Sequence, residues 1–139
     1  MIQLIVGEKG KGKTKKLLER VDMAVKSSNG SLVYIDKSQK HMYELNNRVR
    51  LINASEYPLQ SCPEFVGFLC GIISQDHDLD TIFLDNFMSI ACLPKEGIGP
   101  AITRLHEVSQ VFDVNLVICI SVDESNLPEE AKPYVYLAL

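Results

Sequence analysis

The run Gly7-Glu8-Lys9-Gly10-Lys11-Gly12-Lys13-Thr14 constrains this chain more than any other stretch. It satisfies G-x-x-x-x-G-K-[ST] at every fixed position. Three glycines permit backbone conformations that a Cβ would penalise, so successive N–H groups can turn towards one anion. The positive end of the following helix adds to that attraction. The fixed lysine, Lys13, is the residue that reaches a β- or γ-phosphate, and the Thr14 hydroxyl can complete a Mg²⁺ shell. The flanks agree with the motif. Ile2–Val6 is a short apolar run of strand type. Thr14–Lys26 carries Leu17, Leu18, Val21, Met23, Ala24 and Val25, compatible with a helix that buries one broad face. Ser27-Ser28-Asn29-Gly30 then supplies a helix stop. Strand, loop and helix together predict a phosphate site built from Gly7, Glu8, Lys9, Gly10, Lys11, Gly12, Lys13, Thr14 and Lys15, rather than a basic surface turn.

At 139 residues the chain suits one domain, 1–139, with a sizeable core. Its 46% hydrophobic and 23% charged content is that of a soluble globular protein and argues against disorder. Trp is absent and aromatics are 7%, so stacking platforms for single-stranded nucleic acid are not offered. Charge is uneven: residues 1–20 hold six basic and two acidic side chains (+4), leaving −8 for the rest against a total of −4. Positive charge is concentrated where an anionic ligand needs it. Lys9, Lys11, Lys15 and Lys16 around Lys13 are read as phosphate attraction plus solvated helix surface, not as a nucleic-acid patch. No segment has the roughly twenty apolar residues of a membrane span, and no basic leader opens the chain. Cys62, Cys70, Cys92 and Cys119 form no C-x-x-C pair; Cys70 and Cys119 read as buried free thiols. A reduced, cytoplasmic setting is expected. His41, His77 and His106 show no metal-ligand spacing and read as ordinary surface or core histidines.

Further strand-type runs follow at Ser31–Asp36, Arg48–Ile52, Thr81–Asp85, Asn115–Ser121 and Tyr134–Leu139. The Asn115–Ser121 run is apolar throughout its middle, as in a strand buried on both faces. Between them lie a short helical turn at Ser38–Leu45, helices at Pro63–Ser74 and Pro100–Phe112, a loop at Pro94–Gly99 and a turn at Leu127–Lys132. Strands alternating with helices predict an α/β fold: a three-layer, doubly wound, mainly parallel five-stranded sheet with helices on both faces.

Ile82-Phe83-Leu84-Asp85 delivers one carboxylate to the C-terminal end of an apolar strand, where open parallel sheets bind their ligands. With this second element the chain resembles the P-loop nucleoside triphosphatases over nearly its full length. Gly7–Thr14 matches their Walker A motif and Ile82–Asp85 their Walker B. It looks most like the additional-strand branch, which holds the RecA-like, AAA and pilus-type ATPases, with Asn115–Ser121 as the strand inserted between Walker B and the phosphate loop. The resemblance implies ATP and Mg²⁺ as ligands, Thr14 and Asp85 at the metal, Lys13 in catalysis and Ser121 at the sensor position. It departs from many members at Asn86, where they place a glutamate; asparagine holds a water but accepts no proton. RecA-like members take the base from the end of the strand after the Walker A helix, which here is Asp36. Arg104, opening a helix after Pro94–Gly99, is a candidate for completing a neighbour's site.

GTPases are matched only in Walker A: no D-x-x-G follows Asp85, and no [NT]-K-x-D is present to read guanine. Nucleotide kinases need several arginines, whereas only Arg20, Arg48, Arg50 and Arg104 exist here. The expected function is a weak or partner-activated Mg²⁺-dependent ATPase, a monomer or weak homo-oligomer. The alternative is a nucleotide-responsive module with negligible turnover that orders Asp36–Asn47 and Asn86–Gly99 for a protein partner; a small-molecule kinase is disfavoured.

Overall fold

The computed structural model describes all residues from Met1 to Leu139. Its strands are β1 (Ile2–Val6), β2 (Ser31–Asp36), β3 (Val49–Asn53), β4 (Leu79–Leu84), β5 (Asn115–Ile120) and β6 (Val135–Ala138). Helices α1 (Lys13–Ser27), α2 (Cys62–Ser74), α3 (Phe87–Ile90) and α4 (Ile98–Phe112) connect them, with short 3₁₀ turns between. All six strands pair in parallel in the order β3-β2-β4-β5-β1-β6. The sheet thus has six strands where five were expected, because the half-polar runs at Val49–Asn53 and Val135–Ala138 both join it, one at each edge.

Alternation along the strands splits the core in two. Ile5, Leu32, Tyr34, Phe83, Val117 and Cys119 face α1 through Leu17, Val21 and Ala24. Leu4, Val33, Ile35, Ile82, Leu84, Leu116 and Ile118 face α2, α3 and α4 through residues such as Phe65, Leu69, Ile102 and Leu105. Helices therefore cover both faces, which is why β4 and β5 read as continuous apolar runs. Strand β5 lies between β4 and β1, pairing Leu4 with Ile118 and Ile82 with Leu116.

The helix boundaries follow their caps. Ser61 accepts from the Glu64 amide at the start of α2, beside Pro63 in its first turn. At the other end of α1, the Arg48 guanidinium donates to the carbonyls of Val25, Ser28 and Gly30, satisfying acceptors that a helix terminus leaves unpaired. That fork ties the start of β3 to the end of α1.

Three local expectations are corrected. Residues Ser38–Leu45 form turns, with Met42 bonded to Gln39 and Glu44 to His41, and no helix. Helix α4 begins at Ile98, because a 3₁₀ turn at Lys95–Gly97 runs straight into it. Arg104 therefore sits in its second turn and does not open it. Cys70 is half-buried, whereas Cys119 is buried as expected.

Candidate functional site

Residues 7–12, the loop read in the sequence as phosphate-binding, join the C-terminal end of β1 to the N-terminus of α1. Gly10 and Gly12 both hold φ of +87°, in the left-handed region where any other residue is strained, and a Cβ at either would meet nothing within 4 Å. Gly7 answers a different need: a Cβ there would lie 3.1 Å from the Leu139 Cβ and 3.2 Å from its carbonyl oxygen. Glu8, Lys9, Lys11 and Lys15 are exposed around this turn. Lys13 is nearly buried and donates to the Glu8 carbonyl across the loop at 3.0 Å. Burial holds its ammonium below the usual lysine range, against the opposing pull of Cys119 and Asp85.

Thr14 Oγ1 donates to Asp85 Oδ2 at 2.8 Å, joining residues 71 positions apart in sequence. The contact follows from the sheet order: β4 ends one strand away from β1, and α1 crosses over the strand between them. Asp85 stands just past β4, which ends at Leu84, and is 2% exposed. The Tyr34 hydroxyl, on β2, donates to the same Oδ2 at 2.9 Å from a fully buried position. Burial, and then the charge of Asp85, push that phenol far above its normal range, so it remains a donor.

Asp36 closes β2 and is also 2% exposed. Asn86 bridges the two carboxylates: its backbone amide donates to Asp85 Oδ1 at 2.9 Å and its side-chain amide to Asp36 Oδ1 at 2.8 Å. It does so at φ of 52°, a left-handed conformation that asparagine tolerates better than most residues. The Lys37 amide adds a second donor to Asp36 Oδ1 at 2.6 Å.

Of the residues singled out in the sequence, Lys13, Thr14, Asp36, Asp85 and Asn86 are brought together in one constellation. Ser121 lies one residue past β5, level with Gly7 through the Val6–Ile120 pair, but it is exposed and bonds none of the others. Arg104 is remote from this hydrogen-bonded set; it is exposed on α4 and pairs with Glu107 at 2.9 Å.

Sequence reasoning missed three participants. Tyr34 read only as part of an apolar strand, although a buried tyrosine needs a partner for its hydroxyl. His41 read as an ordinary histidine, yet it lies with Asp36 and Asp85 so that one ligand atom from each falls within 4.8 Å of the others. Asp123 lies past β5, its carboxyl held below the usual range chiefly by Ser125 and in smaller part by Lys11. No spacing rule links these residues, because three separate strand ends converge on them.

The oxygen donors suit Mg²⁺. A threonine hydroxyl touching a buried carboxylate, with no lysine or arginine paired to that carboxylate, is a donor set for a hard divalent ion. A scan against protein-family models finds no match for the chain, and a search among curated proteins finds none either. The functional reading therefore rests on this geometry.

Proposed function

We propose that the chain is an ATP-binding P-loop nucleoside triphosphatase of the additional-strand branch, with weak or partner-activated Mg²⁺-dependent hydrolysis. One observation carries the proposal: Thr14, the last residue of the loop motif, donates to Asp85 Oδ2 at 2.8 Å. The two sequence elements thus meet at a single contact. The position of β5 between β4 and β1 supports the branch, and helices on both sheet faces support the three-layer P-loop fold.

In this reading the loop amides and the N-terminus of α1 bind the phosphates. Lys13 exchanges its Glu8 carbonyl for phosphate oxygens, an anionic partner that opposes the lowering of its pKa by burial. Thr14 and, through water, Asp85 would hold Mg²⁺, which when bound supplies charge neutralisation at the β- and γ-oxygens. Asp36 is the residue placed to accept a proton from an attacking water: its Oδ2 takes no hydrogen bond within the chain. Asn86 orients the Asp36 carboxyl and cannot itself be the base.

Asn86 favours a second reading in which the nucleotide orders the neighbouring loops with negligible turnover. A small-molecule kinase is less well supported. Arg48 is engaged on α1 carbonyls, Arg20 donates to Gln3 at 3.1 Å, and Arg104 pairs with Glu107, so three of the four arginines are spent away from a second phosphate chain. Calorimetric titration with ATP, ADP and GTP, with and without Mg²⁺, followed by phosphate release from the same sample, tests the proposal. Mg²⁺-enhanced ATP binding with slow release supports it. Absence of ATP binding sinks both nucleotide readings.

A further inference from the structure

The turns after β2 bring a histidine to the carboxylate pair. The carboxylates of Asp36 and Asp85 and one ring nitrogen of His41 lie within 4.8 Å of one another. His41 Nδ1 is 2.7 Å from Glu44 Oε1 on the same turn. A carboxylate beside one imidazole nitrogen orients the ring, as a second carboxylate does at many metal-binding histidines.

The charge balance points the same way. Asp36 and Asp85 are both 2% exposed and stand side by side, yet none of the chain's four ion pairs includes either. Lys13 spends its hydrogen bond on a backbone carbonyl. Amide and hydroxyl donors satisfy individual oxygens but add no positive charge. Two adjacent buried carboxylates with no cation in direct contact, and only Lys13 nearby, are costly, and a bound ion reduces that cost.

The donor type decides which ion. Mg²⁺ takes oxygen and keeps its waters, whereas an imidazole nitrogen beside two carboxylates suits Mn²⁺, Fe²⁺, Co²⁺ or Zn²⁺. Bonds of about 2.0–2.2 Å put the ligand atoms of one ion about 3.0–3.4 Å apart, so the ligands draw together by up to about 1.8 Å on binding. Residues 37–47 can supply that movement, being held by turn hydrogen bonds and not by the sheet.

We propose that Asp36, His41 and Asp85 form a site for one divalent first-row transition ion, filled in the absence of nucleotide. It shares Asp36 and Asp85 with the nucleotide reading but needs neither the phosphate loop nor ATP, so the two are tested separately.

The test uses the full chain, stripped of metal and nucleotide, with Mn²⁺ as the probe. Calorimetry should give one Mn²⁺ per chain, and pulsed electron paramagnetic resonance should show ¹⁴N modulation from a coordinated imidazole. His41→Ala, a change in an exposed turn, should erase the modulation and weaken Mn²⁺ at least about tenfold. Lys16→Ala should leave Mn²⁺ affinity within about twofold, because Lys16 pairs with Glu19 on the helix surface and contributes no ligand. Failure to bind Mn²⁺, bound Mn²⁺ without nitrogen modulation, or unchanged affinity in His41→Ala would each overturn the proposal. Mn²⁺ held through His41 by a chain that binds no ATP sustains this site and removes the nucleotide reading. ATP binding without histidine-ligated Mn²⁺ does the reverse.

Discussion

Replacing Tyr34 by phenylalanine isolates one hydrogen bond at the centre of the site. The hydroxyl is fully buried and donates to Asp85 Oδ2 at 2.9 Å, and the ring can stay where it is in the α1-facing core. A hydrogen bond to a charged acceptor contributes about 1.5–3 kcal/mol net, so Tyr34→Phe should cost about 2 kcal/mol near neutral pH. For a chain of this length that corresponds to a fall in Tm of about 6–10 °C. The pH dependence is the sharper readout. Burial and the charge of Asp85 raise the Tyr34 pKa in the folded state above its unfolded value of about 10. Below pH of about 10 the phenol is neutral in both states and its full contribution is present. Above it the unfolded phenol ionises while the folded one does not, so the contribution falls as pH rises. At pH 11 the loss is about 1.4 kcal/mol, leaving a deficit of about 0.6 kcal/mol between variant and wild type. Urea unfolding of both proteins at pH 8 and pH 11 measures this difference, and other titrating groups cancel in it. Tyrosinate absorbance should show one of the five tyrosines silent until unfolding. A deficit that is the same at both pH values would mean that the hydroxyl titrates alike in both states, and the buried-donor argument would fail.

The remaining predictions concern ligand binding and turnover. Lys13→Ala should weaken ATP far more than Lys16→Ala, since Lys16 is partly exposed and engaged with Glu19 at 3.4 Å; equal losses by calorimetry would reveal a diffuse basic patch. Asp85→Asn keeps an acceptor for Thr14 and Tyr34, so it should reduce the Mg²⁺-dependent part of ATP affinity and spare binding in EDTA; an equal drop in both would make Asp85 structural. Turnover of the isolated chain should fall well below the roughly 1–10³ s⁻¹ of typical enzymes, and a brisk rate untouched by Asp36→Asn would remove Asp36 as base. Arg104→Ala breaks only an exposed pair with Glu107, so stability should change by less than about 0.5 kcal/mol. Hydrolysis per molecule should not depend on protein concentration; a rise that Arg104→Ala abolishes would restore an arginine acting on a neighbouring copy.

The sequence made the α/β alternation legible because each element announces itself locally. The loop glycines, the apolar β5 and the Ser61–Pro63 start of α2 all carry their signal within a few residues. Sheet order is not local, yet the family resemblance, together with its apolar character, put β5 between β4 and β1, and there it lies. The edges were harder. Strand β3 and strand β6 have one partner each, and their half-polar patterns say little about whether they pair. Within the site, the residues with fixed motif positions, Lys13, Thr14 and Asp85, were found together. Tyr34 and His41 were not, because their roles depend on where the ends of β2 and β4 meet and on how residues 37–47 turn back. The start of α4 was misplaced by two residues because Lys95–Gly97 continues smoothly into a helix across Gly99 and Pro100. That small shift moved Arg104 from a helix start to a helix flank.

Asn86 connects stability and chemistry in this site. Under the proposed P-loop reading, many family members carry a glutamate at this position, and asparagine there reads at first as simple loss of a base. Here the residue does something a glutamate cannot. Its side-chain amide donates to Asp36 Oδ1 while its backbone amide donates to Asp85 Oδ1, so it holds two buried carboxylates in register. A glutamate would retain the backbone bond, lose the side-chain donor and bring a third negative charge against the pair. It would also sit at φ of 52°, where asparagine is among the better-tolerated residues. Asn86→Glu should therefore destabilise the metal-free chain by about 2–4 kcal/mol, from a lost charge-assisted bond and an added like charge. Added Mn²⁺ or Mg²⁺ should restore much of that loss, since a cation pairs the new carboxylate. Thermal unfolding with and without the ion, in wild type and Asn86→Glu, measures the restoration. If the ion stabilises the variant no more than the wild type, Asn86 is not the link between the carboxylates and the metal. If it does, hydrolysis by Asn86→Glu should also exceed that of the wild type, because the metal-bound site then holds a glutamate able to accept the proton that asparagine cannot.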